Sequence, residues 1–290
     1  MSETELAPLV VAVTGATGYV GGLVCDRYRE AGWTVISLQR RVENDGAASS
    51  ARRFILGEPI DPDLLAGVDV LIHCAYDLTL TNSDDIERVN VEGTKRLFEA
   101  AAASGVRRMV LISSMSAYWG TEQVYGRAKL ACEDAAAAAG GVSVRLGLVY
   151  GDGWGGMAGS LRKLVELPIT PLVGVRSYQY TVHEDDAAEG LLALGVATTV
   201  PSGTVVGLAH AGRVPFRKLL EGFGRKAGAA PRFLPVPWRP VYGAMRIAEL
   251  MRVPLPLRGD SLLGLVRPAG FVPSGDIWPD LGLSLRPFAL

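Results

Sequence analysis

The residues Thr14-Gly15-Ala16-Thr17-Gly18-Tyr19-Val20-Gly21 follow directly on the apolar run Leu9–Val13 and open a helix-like stretch, Val20–Ala31. Few arrangements constrain a chain more. Glycine at the first position allows a tight turn from strand into helix. At the second it lets backbone approach a pyrophosphate, and at the third it lets the helix lie close to the strand. The helix beyond then offers unpaired N–H groups and a partial positive charge to phosphates. A glycine triplet alone is weak evidence. At the first strand–helix junction it predicts that Gly15, Thr17, Gly18, Tyr19, Val20 and Gly21 hold a dinucleotide, the alternative being a merely structural turn.

The same alternation continues. Thr34–Leu38, Val68–His73, Arg108–Ser113 and Val142–Leu148 are short, β-branched and nearly continuous in apolar character, as strands buried on both faces of a parallel sheet read. Helix-like segments, Asp84–Ser104 and Tyr125–Ala139, lie between them. The expectation is an α/β, doubly wound parallel-sheet Rossmann fold with a smaller, mostly helical C-terminal substrate lobe. Residues 1–152 form the dinucleotide domain, completed by segments within 175–210, and 153–174 with 211–290 form the lobe. Gly151–Ser160 reads as a flexible loop, Thr204–Leu208 as a further strand and Phe216–Ala227 as a helix. Six prolines between Pro231 and Pro256 argue against sheet interior there.

Composition excludes several classes of function. With 29 Lys+Arg against 30 Asp+Glu in 290 residues, no long-range field gathers polyanions, so nucleic acid is not an expected partner. Three widely spaced cysteines, Cys25, Cys74 and Cys132, form neither a disulfide scaffold nor a zinc module, and three scattered histidines imply no metal site. Met1–Pro8 lacks the basic start of a secretory signal, and no apolar run is long enough to span a bilayer. The expectation is a cytoplasmic protein without integral membrane association. The stretch Trp238–Val253 reads as a lobe helix, with a basic amphipathic surface as the alternative.

Two further features point to chemistry. The second strand ends Gln39-Arg40-Arg41, where an NAD site would carry an acidic residue for the ribose hydroxyls. A guanidinium suits a 2′-phosphate instead, so Arg40 points to NADP(H) over NAD(H), against the alternative of a solvated arginine pair. Tyr125 and Lys129 stand four apart at the head of an alanine-rich helix, which puts them on one face. A phenol is a poor base at neutral pH until a neighbouring cation favours the phenolate. Ser114 at the end of the fifth strand can hydrogen-bond a reacting oxygen while Tyr125 passes the proton. Ser116 competes with Ser114, and strand register favours Ser114.

Taken together, these motifs resemble the extended short-chain dehydrogenase/reductase family, also called the NAD-dependent epimerase/dehydratase family. The similarity extends to His73-Cys74-Ala75, Asn90-Val91-Glu92-Gly93-Thr94, Ile112-Ser113-Ser114, YGRAK at 125–129, Arg145–Gly151, Val182–Ala187 and Asp280-Leu281-Gly282. The resemblance implies a catalytic set Ser114, Tyr125 and Lys129. It implies a cofactor lying along His73, Cys74, Ala75, Asn90 and Leu148, with Lys129 holding the nicotinamide ribose, and a small-molecule substrate. A homodimer through the helices at 84–104 and 125–139 remains open. His183, Asp185 and Asp186 have a mainly architectural role in such relatives. There are departures. Gly147 replaces a usual proline and is expected to loosen the wall beside the nicotinamide, and Glu58-Pro59 replaces the acidic–leucine pair at the adenine. Only ten residues, including Trp119, separate Ser114 from Tyr125. The leading expectation is an NADP(H)-dependent oxidoreductase of a secondary alcohol or carbonyl. The alternatives are a nucleotide-sugar epimerase on tightly bound NAD and a non-catalytic dinucleotide-binding sensor or complex subunit.

Overall fold

A computed structural model describes residues 9–42, 50–251, 253 and 258–290. The N-terminal octapeptide, Arg252, Pro254 and Pro256 lie outside these residues. The first strands and helices are β1 (Val10–Thr14), α1 (Tyr19–Glu30), β2 (Thr34–Gln39), β3 (Ala51–Arg53), β4 (Val70–His73), α2 (Ser83–Ile86), α3 (Glu92–Ala103), β5 (Arg108–Ser114) and α4 (Val124–Ala138). There follow β6 (Val142–Leu146), β7 (Leu148–Tyr150), α5 (Gly156–Val165), β8 (Thr170–Val173), β9 (Tyr178–Gln179), β10 (Thr181–His183) and α6 (Glu184–Val196). The remainder comprises β11 (Val205–Leu208), β12 (Val214–Pro215), α7 (Phe216–Lys226), β13 (Phe233–Val236), α8 (Trp238–Leu250), α9 (Gly259–Val266) and α10 (Ile277–Asp280).

A seven-stranded parallel sheet in the order β11-β6-β5-β4-β1-β2-β3 is the centre of the fold, with helices flanking it. Its middle strands are apolar up to a polar last residue, Thr14 in β1 and His73 in β4, because both faces are covered: all four residues of β4 and four of five in β1 are buried. This is the Rossmann-like architecture expected. Chain contacts divide the molecule into two compact units, one of residues 1–112, 131–144 and 188–205, the other of 113–130, 145–187 and 206–290. The second unit has a core of its own, in which Tyr150, Leu161, Leu172, Phe216 and Phe223 are almost wholly buried. Burying side chains of this size stabilises by about 1.5–3 kcal/mol each.

Four local expectations are corrected. The helix foreseen over Asp84–Ser104 is interrupted by a π turn, Glu87–Val91, between α2 and α3. The run Val142–Leu148 is two strands rather than one. At Gly147 the chain changes partners: its N–H donates to the Leu208 carbonyl at 3.1 Å, while the next N–H, of Leu148, donates to Tyr180 at 2.8 Å. Gly147 does not loosen its surroundings, since an added Cβ would lie 2.8 Å from both the Ala209 Cβ and the Tyr180 carbonyl oxygen. The second half of Gly151–Ser160 is not loop but the start of α5, whose Ala158 and Leu161 enter the core of the second unit. The prolines that do join a ladder stay out of sheet interior, as expected. Pro171 and Pro235 sit in the two-stranded parallel pair β8–β13, where a two-strand ribbon leaves one edge of each strand without a ladder to complete.

Candidate active site

In the first unit the glycine turn is built as its spacing demands. Gly15 adopts φ 65°, in the left-handed region, and an added Cβ there would come within 3.0 Å of the Ala75 backbone nitrogen. Gly18 N–H donates to the Gly15 carbonyl at 2.9 Å and forms the N-cap of α1, with no side chain capping the helix and no acidic residue in its first turn. At Gly21 a Cβ would stand 2.1 Å from the Gly15 carbonyl oxygen. The result is a backbone-lined cradle facing an uncapped helix end, which fits a pyrophosphate.

The end of β4 is locked behind this turn by a buried chain of hydrogen bonds. The Ala75 N–H donates to Thr14 Oγ1 at 3.0 Å, and Thr14 Oγ1 meets His73 Nδ1 at 2.7 Å. His73 Nε2 lies 3.0 Å from Thr94 Oγ1, whose proton goes to the Asn90 carbonyl at 2.7 Å. Donors and acceptors match when His73 is neutral with its proton on Nε2. Asn90, in the π turn, clamps the strand's exit: its Oδ1 accepts the Asp77 N–H at 2.7 Å and its Nδ2 donates to the Asp77 carbonyl at 3.2 Å. Of the residues expected along a cofactor, His73 and Asn90 are therefore fully buried and spend their side chains on holding the loop, whereas Cys74 and Ala75 are half-buried. Burial pushes the Cys25 thiol of α1 and the Tyr28 phenol up; the latter donates to the Leu191 carbonyl at 3.2 Å.

Arg40 is exposed just beyond β2. The neighbouring arginines on β3 are engaged. Arg52 donates to the Leu64 carbonyl at 2.6 Å, and Arg53 pairs with Glu58 at 3.1 Å, so Glu58 is an ion-pair partner in the segment after β3.

In the second unit, β5 ends on Ser114, whose Oγ accepts the Ser116 N–H at 3.1 Å. The Ser116 carbonyl is pressed against Gly126: a Cβ there would meet it at 2.3 Å and Thr121 Oγ1 at 2.8 Å. A residue without a side chain thus joins the turn after β5 to the first turn of α4. Tyr125 is half-buried on that turn, and the ammonium of Lys129, a residue only 4% exposed, lies 5.9 Å from the centre of its ring. Trp119, between them in sequence, is 96% exposed. Leu148 packs against the core of the second unit. His183 and Asp185 approach at 3.4 Å, but Asp185 and Asp186 both hold Arg286, at 3.0 and 2.6 Å, tying down the C-terminal segment.

One site residue escaped the sequence reading. The carboxylate of Asp260, on α9, accepts the N–H of Val124 at 2.8 Å and that of Tyr125 at 2.9 Å, capping α4 from 135 residues away. Sequence shows Asp260 only as an acid in the first turn of its own helix.

Comparison with known proteins identifies a family for the chain. The sequence model described as NAD dependent epimerase/dehydratase family matches residues 11–194. A ceramide reductase of Caulobacter vibrioides is 30% identical over 242 residues, 79% of this chain and 74% of that protein. The dTDP-6-deoxy-L-talose 4-dehydrogenase (NAD(P)(+)) of Kitasatospora kifunensis is 28% identical over 275 residues, covering 82% and 85%. Among solved structures, that of gox2253 superposes with a TM-score of 0.72 at 22% identity over 96% of this chain and 94% of that one, a likeness of fold.

Proposed function

The chain belongs to the NAD-dependent epimerase/dehydratase family, and on that premise we propose that it is an NADP(H)-dependent oxidoreductase moving hydride between nicotinamide and a secondary alcohol or carbonyl. NAD(P) dependence comes with the family. The preference for NADP(H), the substrate class and the residue roles are the proposal. The observation that carries it is the pairing of a half-buried Tyr125 phenol with the buried ammonium of Lys129, 5.9 Å from the ring centre.

The cradle of Gly15, Gly18 and Gly21 with the open end of α1 would hold the pyrophosphate, as the space left by the missing side chains allows. Thr17, Tyr19 and Val20 complete that turn, Cys74 and Ala75 would flank the dinucleotide, and Arg40 would neutralise a 2′-phosphate. When bound, the nicotinamide supplies or accepts the hydride. The chain's own residues do the rest. Ser114 Oγ, its lone pair engaged by the Ser116 N–H, keeps its O–H to donate a hydrogen bond to the substrate oxygen without losing the proton. Tyr125 delivers the proton to that oxygen in reduction and removes it in oxidation. Lys129 favours the phenolate and would hold the nicotinamide ribose. The likeness to a ceramide reductase supports a reductive direction on a poorly polar substrate. Residues 153–174 and 211–290 would form the substrate side.

The test is mass spectrometry of whatever dinucleotide co-purifies, then fluorescence titration with NADPH and NADH, then nicotinamide absorbance with a panel of ketones. NADPH bound roughly tenfold tighter or better, ~1.4 kcal/mol, with ketone-dependent oxidation supports the proposal. Tightly retained NAD⁺ with no net oxidation overturns it in favour of an epimerase.

A further inference from the structure

Helix α9 lies along the segment that carries Tyr125, and four contacts join them. Asp260 accepts the first two N–H groups of α4. Gly264 backs onto Gln123, so closely that a Cβ would meet the Gln123 amide nitrogen at 2.9 Å. Arg267 pairs with Glu122, and the Tyr118 hydroxyl donates to the Arg267 carbonyl at 3.0 Å. The start of α9 is itself fixed from α8. Glu249 accepts the Gly259 N–H at 2.7 Å and pairs with Arg246 at 2.8 Å.

The first turn of a helix has N–H groups with no partner inside the helix, and without a cap that turn frays. The adjacent Gln123 is 3% exposed, and its Nε2 has no hydrogen-bond partner. The residue whose placement matters most, Tyr125, sits on that turn and has its own N–H in the Asp260 carboxylate. We infer that Asp260 is a positioning residue for Tyr125, holding the phenol in its place beside Lys129 and tying the proposed proton transfer to the lobe helices α8 and α9. This rests on the acid–base role proposed for Tyr125. Asp260 touches neither substrate nor cofactor in this scheme and acts through the backbone of α4.

The experiment compares Asp260→Asn with Asp260→Ala. Both remove the charge, so the lost carboxylate, the Lys129 ammonium and the Glu122–Arg267 pair weigh alike in the two; only Asn keeps an oxygen for an α4 N–H. In protein carrying [Cζ-¹³C]tyrosine, the Tyr125 resonance, assigned with Tyr125→Phe, is followed through its titration. The midpoint in Asp260→Ala is expected at least half a pH unit above that in Asp260→Asn, about threefold in acid constant, with the other eight of the nine tyrosines unmoved. On any ketone the wild type turns over, kcat falls about tenfold or more in the Ala variant but not in Asn, with KM for NADPH unchanged. Equal Tyr125 midpoints in Ala and Asn, or a lower melting temperature without either effect, overturn the inference. If the Ala variant does not fold, Asp260→Ser, too short to reach α4, replaces it in the same comparison. A wild type that oxidises no NADPH sinks the oxidoreductase reading alone, because the tyrosine titration still decides Asp260.

Discussion

The two compact units hold their candidate residues by opposite means. In the first, every contact that shapes the dinucleotide turn joins residues that belong to recognisable sequence motifs: Gly15 against Ala75, Gly21 against Gly15, and Thr14 to His73 to Thr94. In the second, Tyr125 and Lys129 form a motif, but what fixes them does not. The Ser116 carbonyl packs against Gly126, where no side chain would fit, and Asp260 caps the helix from far along the chain. The motifs of the first unit satisfy one another. The second depends on tertiary contacts that no spacing rule announces.

Five substitutions sharpen or break that contrast. The largest effect is expected from Tyr125→Phe: turnover falls about 10³-fold, the scale of a lost acid–base group, while NADPH titration is unchanged. A loss of dinucleotide affinity as well would mean that the phenol serves binding more than proton transfer. Next is Gly21→Ala, which drives a Cβ onto the Gly15 carbonyl oxygen. A loss of about 3 kcal/mol in urea unfolding is expected, with dinucleotide affinity abolished. An Ala variant that binds normally would show that the turn yields and break the contrast. Thr94→Val removes the hydroxyl that meets His73 Nε2 in the buried chain, and should cost about 2 kcal/mol. Arg40→Ala leaves unfolding untouched and reduces the NADPH-to-NADH preference roughly tenfold, ~1.4 kcal/mol. An unchanged ratio would return Arg40 to the solvent. The smallest effect belongs to Asp152→Asn. Lys226, hydrogen-bonded to Asp152, holds that carboxyl below the usual carboxylate range, so the pair is complete at neutral pH and fades only as pH falls through that lowered value. Being exposed, it should leave the melting temperature at pH 7 where it was.

The sequence made the sheet legible because buried parallel strands are continuous apolar runs: β1, β2, β5 and β11 begin and end within a residue of where their composition says they should. Periodicity failed where tertiary pairing decides. Val142–Leu148 looks unbroken, and nothing local says that Leu208 and Tyr180 compete for its N–H groups at Gly147. The π turn at Glu87–Val91 has helical periodicity on either side, so only the Asn90 clamp on Asp77 reveals it. Glycine-rich 151–160 looked like loop because propensity cannot see that Ala158 and Leu161 have a core to enter. In the candidate site, residue types at motif positions were legible, and the supports beneath them were not. Asp260 is the plainest case, since an acid in a helix's first turn is read as serving that helix.

The contact between Gly126 and the Ser116 carbonyl has a practical consequence. Because no side chain fits between them, any residue but glycine at 126 would push the turn after β5 and the helix that bears the phenol apart. Anyone retargeting this chain to new substrates by loop grafting would have to transplant 114–126 as one cassette, with an acid at 260 to receive it. The hydroxyl and the phenol are inherited together or not at all.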